Sequence, residues 1–503
     1  MPRWSKIGGL LAIVVIGGAA VFLIFRWPFR QDTVVKALQE KFSSTVAVKA
    51  FHATYFTPGC IVEGVTFRRN SDGDAPPIAT VERLIIEGSY WEFLLAPKRI
   101  RRVRVEGLHM FVSPDSERVG NVLRPAGSPA QSASIIDGII ADGAVVEFAL
   151  GKSGGEPLKF EIHKLTLNSV AGDRPMSFHA ALRIPKPPGE IRTDGHLGPL
   201  RPQDPGQTVV SGSYVFEGAD LSVFPGIRGT LSSAGKFDGM LERIEIEGST
   251  DVPEFMVTKS DYAVDLRTQF HAIVNGMDGD VALQSVKAQF ERTSVVSDGE
   301  VARKEGAEGK SVSIGSTEQQ GRIQDWLRLL AKADPPALTG GMNFRVRILV
   351  PAGEREFIKR VNLQGDFGID AASFARPTTQ EKVDNLSRLA QGEKENDDPA
   401  SVVENLKGHV SLNDAIATFS SFSFSVPGAL ARLHGTYGLL TERVDLHGTL
   451  QVDKKLSKGS KGVKSALLKS VEPFLKKKNA GEIVPIRIGG TFSHPAYGLD
   501  VVP

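Results

Sequence analysis

Residues 443–452 read RVDLHGTLQV, and the period of this stretch decides the fold class. Val444, Leu446, Leu450 and Val452 fall on one parity, while Arg443, Asp445, His447, Thr449 and Gln451 fall on the other. Successive side chains of an extended chain project to opposite faces, so the stretch predicts a strand with one apolar and one polar face. The same period recurs upstream in Met342, Phe344, Val346, Ile348 and Val350, and again in Val361, Leu363, Phe367 and Ile369. Segments 79–88 and 100–112 are rich in β-branched residues between Pro and Gly punctuation, and they read as hairpin strands.

A short signature, an apolar residue, any residue, then glycine, accompanies these strands. It appears as VEGV at Val62, IEGS at Ile86, VEGL at Val105, IEGS at Ile246, LQGD at Leu363, LKGH at Leu406, LHGT at Leu433 and Leu446, and IGGT at Ile488. Glycine within a strand marks a bulge, a bend or a close backbone approach, so its recurrence predicts a strongly curved sheet; ordinary turn glycine is the competing reading.

Helical periodicity is confined to a few places. Val34, Val35, Leu38 and Phe42 form one stripe over 31–42, and Ile323, Trp326, Leu327 and Leu330 form another over 322–333. Residues 380–390 and 463–478 complete the set. Polar or Pro-rich stretches at 113–134, 185–207, 300–320 and 391–399 read as loops or linkers. The organisation expected is a tail and anchor over 1–26, a membrane-proximal helix with strands over 27–130, a central β region over 131–320, a helix-interrupted β region over 321–400, and a C-terminal β region with a basic helix over 401–503.

The N-terminal residues 7–25, IGGLLAIVVIGGAAVFLIF, carry no charge. At about 1.5 Å per residue such a helix crosses a bilayer core. The run exceeds the ~7–15 residues of a signal-peptide core and no small-x-small site follows it, which favours an uncleaved anchor. Arg3 and Lys6 before the span, with Trp4 and Trp27 at its ends, suggest a cytoplasmic N-terminus and a body on the far side.

Sixty basic residues against fifty-eight acidic ones leave a net charge of +2, which argues against nucleic acid as a partner. The single cysteine, Cys60, excludes an intramolecular disulfide and a cysteine-based zinc cluster. The sequence contains no HExxH pair, P-loop, GxSxG elbow or dinucleotide-binding glycine fingerprint in a usable context, so neither an enzyme nor a cofactor is expected. His434 and His447 fall on neighbouring strands without ligand spacing, and they read as strand-surface residues. The acidic run Glu393, Glu395, Asp397 and Asp398 lacks a calcium-loop spacing and reads as a solvated linker. Lys464, Lys469, Lys476, Lys477 and Lys478 surround Leu467, Val471, Phe474 and Leu475. That pattern suits contact with an anionic membrane surface, where each cation contributes about 1 kcal/mol, and equally a solvated helix face packed on the sheet.

RWPF at Arg26 followed by PGCIVEGVTFRR at Pro58 resembles the start of AsmA-like bacterial envelope proteins. TDVPEFMV at Thr250, FSFSVPGALARLHGTYGLL at Phe422, VDLHGTLQVD at Val444 and VPIRIGGTFSHPAYGLDV at Val484 resemble that family's later repeats. The resemblance implies a mainly β protein: an N-terminal transmembrane helix, then an elongated, curved, repetitive antiparallel β-groove with a few short helices, related to chorein-type bridge-like lipid-transfer proteins. It implies a single-pass inner-membrane protein with its bulk in the periplasm, binding phospholipid acyl chains and assisting lipid transport or outer-envelope biogenesis. Its partners would be membrane lipids and outer-envelope proteins. The residues expected to line such a groove are Val361, Leu363, Phe367, Val444, Leu446, Leu450 and Val452. One-sided strands are equally compatible with a dry, closed core, which would make the protein a structural scaffold of the envelope.

Overall fold

The computed structural model describes residues 29–42, 44–69, 77–90, 99–112, 135–148, 158–170, 174–201, 204–303, 309–330, 335–336, 338–353, 355–374, 404–426, 429–452, 483–491 and 495–499. The protein is mainly β, and its strands form a mixed sheet. The chain divides into two compact units, residues 1–215 with 238–242, and residues 216–237 with 243–503.

In the first unit, helix α1 (Gln31–Phe42) precedes β1 (Ser44–Ala47), β2 (Ala50–Thr54), β3 (Gly59–Arg69), β4 (Ala79–Glu87), β5 (Arg99–Ile100), β6 (Arg102–Val112), β7 (Ile135–Phe148), β8 (Leu158–Val170), β9 (Met176–Pro185) and β10 (Pro188–Leu197). Strand β11 (Val209–Asp220) begins in this unit and ends in the other. Helix α1 forms where the sequence predicts it. Val34 is buried with Phe29, Val46, Cys60, Val62, Val65, Val81 and Leu84, and Val35 and Leu38 pack against that cluster. Fully burying each valine or leucine contributes about 1.5–3 kcal/mol, so this apolar stripe, rather than helix propensity, holds α1 on the sheet.

Two expectations for this unit are corrected. The sheet is not wholly antiparallel: β3, β4 and β6 pair antiparallel, but β6 runs parallel to β7, with Val103 opposite Ile139 and Val112 opposite Phe148. A parallel pair needs a crossover of a dozen or more residues, and the chain between Val112 and Ile135 supplies that length. Residues 185–207, expected as a linker, hold β10, which forms a hairpin with β9. Pro185 and Pro188 stand opposite each other at its turn, where a missing N–H costs no ladder bond, and their punctuation obscured the alternation of Ile191, Thr193 and Leu197 with Arg192, Asp194 and His196.

The second unit contains the end of β11, then β12 (Ile227–Arg228), β13 (Thr230–Met240, whose last residues belong to the first unit), β14 (Arg243–Val257), β15 (Ala263–Val274), β16 (Val281–Phe290), β17 (Thr293–Arg303) and β18 (Lys310–Arg322). Helix α2 (Ile323–Leu330) leads to β19 (Leu338–Val350) and α3 (Phe357–Arg360) to β20 (Asn362–Phe374). Next come β21 (Glu404–Asn413), β22 (Ile416–Val426), β23 (Ala429–Gly438), β24 (Val444–Val452), β25 (Ile483–Gly490) and β26 (Pro495–Leu499). From β14 to β26 every strand pairs antiparallel with the next. Within residues 300–320, expected as a linker, 300–303 end β17 and 310–320 belong to β18, while 304–308 lie outside the described residues. Ser311, Ser313, Ser316 and Gly315 made β18 read as loop, yet its Val312 and Ile314 stand opposite Val350 and Ile348 in the ladder.

Among the described residues no helix is long and apolar enough to cross a membrane, and residues 7–25 lie outside them. The helices expected over 380–390 and 463–478, the loops expected over 113–134 and 391–399, and the acidic run at 393–398 also lie outside the described residues.

Cys60 is fully buried in the cluster that α1 helps to form, and burial pushes its thiol up to about 12. Alkylation needs the thiolate, so at about pH 8 iodoacetamide should leave the native protein unmodified and modify it fully in guanidinium, as read by intact mass; native labelling would contradict the packing of α1 on β3.

Candidate functional site

Register alone assembles a continuous apolar face in the second unit. Ile348 of β19 is opposite Leu363 of β20, which is opposite Leu412 of β21, which is opposite Ala417 of β22. Two steps along the same parity, Phe344, Phe367 and Gly408 align. Further round, Phe422 stands opposite Leu433, Ala431 opposite Leu450, Tyr437 opposite Val444, and Leu446 opposite Ile488. Because each strand alternates, the other parity gathers polar residues: Asp366 meets His409 at 2.8 Å, and the Asp445 carboxylate accepts from Arg487 at 2.8 Å and sits 3.1 Å from His447. The Arg487 hydrogen bond holds the Asp445 carboxyl below its ordinary range. These pairs are exposed and contribute little to stability; they mark the solvent face.

Of the residues expected to line a groove, Val361, Leu363, Phe367, Val444, Leu446 and Leu450 stand on this face. Val361 is buried with Val350, Leu412 and Ala417, and Leu363 packs on that group. Phe367 and Leu450 pack on a second group formed by Ile323, Ile369, Ala372 and Leu406. Val444 and Leu446 are half-buried. Val452 pairs through its backbone with Ala429, and its side chain lies outside the described residues. Lys464, Lys469, Lys476, Lys477 and Lys478 lie outside them as well.

The sheet of this unit coils. Leu450 touches the Ile323 group although β24 lies three strands beyond β21, a separation of about 14 Å on a flat sheet at ~4.8 Å per strand. More directly, Lys259 after β14 donates to the Leu439 carbonyl after β23 at 3.1 Å, across strands that a flat sheet would hold about 43 Å apart. Register shifts supply the bends, falling at 252/255, 271/272, 283/286, 318/321, 339/341 and 419/422. The recurring glycine signature has its explanation here. A Cβ on Gly448 would collide with the Arg432 carbonyl oxygen, and one on Gly435 with that of Asp445. These glycines stand on the apolar parity, opposite Leu433 and Leu446, where inward curvature brings neighbouring backbones together.

Helix α2 sits inside the coil, and the sequence reading of its apolar stripe needs correction. Ile323, Trp326 and Leu327 pack on the Ile369 and Leu406 group, as the stripe predicts. Leu330 is exposed instead, and Leu329, on the other side of the helix, is buried with Val264, Phe290 and Val295. A helix on an open surface buries one stripe; α2 buries two because sheet lies on both sides of it. Trp326 joins the two groups, its ring edge-to-face with Phe290 at 5.0 Å and with Phe344 at 5.5 Å.

Two carboxylates that sequence reasoning did not single out accompany the helix. Asp325 is buried, and its Oδ2 accepts from the Thr293 hydroxyl at 2.9 Å and the Arg292 N–H at 3.2 Å. Glu318, on the apolar parity opposite Phe344, is 2% exposed; its Oε2 accepts from Trp326 Nε1 at 2.9 Å, and its Oε1 has no hydrogen-bond partner. Burial pushes the Glu318 carboxyl up to about 7; the Trp326 hydrogen bond opposes that shift and the nearby Asp325 reinforces it. Neither carried a usable sequence signal: Glu318 stands among serines and glutamines, and Asp325 lies on a short helix between Gln324 and Trp326.

His434 and His447 stand ring to ring at 6.4 Å, and among the described residues no group of three His, Cys, Asp or Glu is placed to hold a metal ion. Comparison of the sequence with family models and with curated proteins finds no match.

Gly448→Val should lower the denaturation midpoint by the equivalent of about 1–3 kcal/mol, whereas Gly489→Ala on the next strand, where the nearest atom is 4.0 Å away, should be close to neutral. Circular dichroism during chemical denaturation checks both. Equal effects would contradict the close approach of β23 and β24.

Proposed function

We propose that this protein holds phospholipid acyl chains against the apolar face of its second unit and so assists lipid transport or outer-envelope biogenesis from an anchor in the inner membrane. The observation that carries the reading is the apolar parity running from β19 to β25, which remains only half-buried at Val444, Leu446, Leu450, Ile486 and Ile488. An apolar surface of that extent needs an occupant, because water against it is costly. Each methylene taken from water is worth about 0.8 kcal/mol, so an acyl chain binds there without a specific polar contact. The uncharged stretch 7–25 supports the anchor, and the resemblance to AsmA-like proteins supports the envelope setting. Under this reading no residue acts as a catalyst; Leu363, Phe367, Leu446 and Leu450 solvate the chains, and the lysines from Lys464 to Lys478 meet the membrane surface.

A scaffold with a dry core is the second reading. It is favoured by the close packing of α2, whose Trp326 fills the middle of the face with ring contacts. The two differ in what Leu446 and Leu450 do. In the lipid reading, the double change Leu446→Asp, Leu450→Asp lowers the phospholipid extracted from the purified full chain at least about tenfold, since a charge costs several kcal/mol beside an acyl chain. Thr449→Asp, on the polar parity, leaves it unchanged. Lipid content that does not respond to the double change, in a protein that still folds, overturns the acyl-binding role of this face.

A further inference from the structure

We propose that helix α2 is a movable partition, latched by the Glu318–Trp326 hydrogen bond, which divides the apolar face into two compartments and opens as the pH rises through neutrality. What the compartments hold rests on the lipid reading above; the latch itself does not.

The partition follows from packing. On one side of α2 lie Val264, Phe290, Val295 and Leu329, and on the other Ile369, Ala372 and Leu406. Trp326 touches both groups, so an acyl chain moving along the face from β15 toward β24 must displace that indole. The helix is a short insert between β18 and β19, and it follows the register shift at 318/321, where Gln319 and Gln320 are exposed and have no ladder partner. A bulge at the foot of a helix gives it a place to pivot.

The latch follows from how the two buried carboxylates are treated. Asp325 is satisfied by a hydroxyl and an N–H. Glu318 is satisfied on one oxygen only, and the space its other oxygen occupies is kept open by Gly321, where a Cβ would collide with Oε1. A buried carboxylate lacking a partner is costly when ionised and tolerable when protonated. The groups around it are Trp326 and Asp325 from α2 and Phe344 from β19; from β17, Thr293 is engaged with Asp325. Asp325 is the charged neighbour that acts on it, and its effect is to oppose ionisation further.

The sign of the response is fixed by linkage. In the covered arrangement Glu318 keeps its proton up to about 7, and in the open one only up to its ordinary 4.5. The proton's preference for the covered state is complete below that ordinary value and is lost as the pH rises through the covered-state value. Within that window each pH unit changes the covered-to-open ratio up to tenfold.

The test uses the full chain with Trp4, Trp27 and Trp91 replaced by Phe, so that Trp326 is the sole indole, and follows acrylamide quenching between about pH 5.5 and about pH 8.5. Quenching should be low at the acid end and rise with a midpoint near 7. Glu318→Gln should hold the low value throughout, because an amide accepts the indole bond without a charge. Gly321→Ala should be readily quenched even at the acid end, because the carboxyl is displaced from Trp326, and this second variant keeps the question answerable if the first fails to fold. A flat profile in the parent, a Glu318→Gln profile that rises with it, or a protected Trp326 in Gly321→Ala overturns the latch. Extracted lipid measured on the same samples separates the two ideas: a lipid-free chain with the pH response intact overturns only the lipid reading, and a lipid-loaded chain with a flat response overturns only the latch.

Discussion

Nine antiparallel pairings separate β14 from β23, and the Lys259 ammonium nevertheless reaches the Leu439 carbonyl at 3.1 Å. A sheet can meet that constraint only by coiling, and coiling has a side. The inner side must carry the apolar parity, since α2 and its indole are packed there, and it must be thin wherever backbones converge, which is why glycine rather than leucine stands at Gly435 and Gly448. A one-residue slip of β24 against β23 would turn Leu446 and Leu450 to solvent and Asp445 and His447 inward. Register, curvature and burial are therefore one property seen three ways.

Much of this architecture was legible because period two is a local property. The alternation at 444–452 is β24, that at 342–350 is β19, and the stripe at 31–42 is α1 with the bounds the periodicity predicts. What escaped was whatever depended on distant neighbours. Ser311, Ser313 and Ser316 are poor strand formers alone, yet they pair because Val346, Ile348 and Val350 stand opposite that segment. The parallel pairing of β6 and β7 has no local signature at all. On α2 the apolar stripe was visible, but its second buried side at Asp325 and Leu329 could be seen only once sheet was known to lie on both sides. Glu318 was invisible for the same reason: a glutamate among serines and glutamines looks solvated until the coil closes over it.

The candidate site shows the same division. Leu363 with Phe367, and Val444 with Leu446 and Leu450, were readable from parity as one face of their own strands, and the register across β20 to β24 sets the two on the same side of the sheet. That Phe367, Phe419 and Phe422 form a triangle of rings about 6 Å apart, and that α2 occupies the middle of the face, were not readable. The half-buried stretch at β24 and β25 and the filled stretch around Trp326 give one surface two characters.

The proposal that acyl chains cover that face is put to the test by native mass spectrometry of the full chain purified without detergent from a membrane-containing host. Phospholipid masses should be retained on the folded chain and recovered by extraction. A folded chain at its bare sequence mass, with no extractable lipid, would contradict it and leave the coil as a dry scaffold.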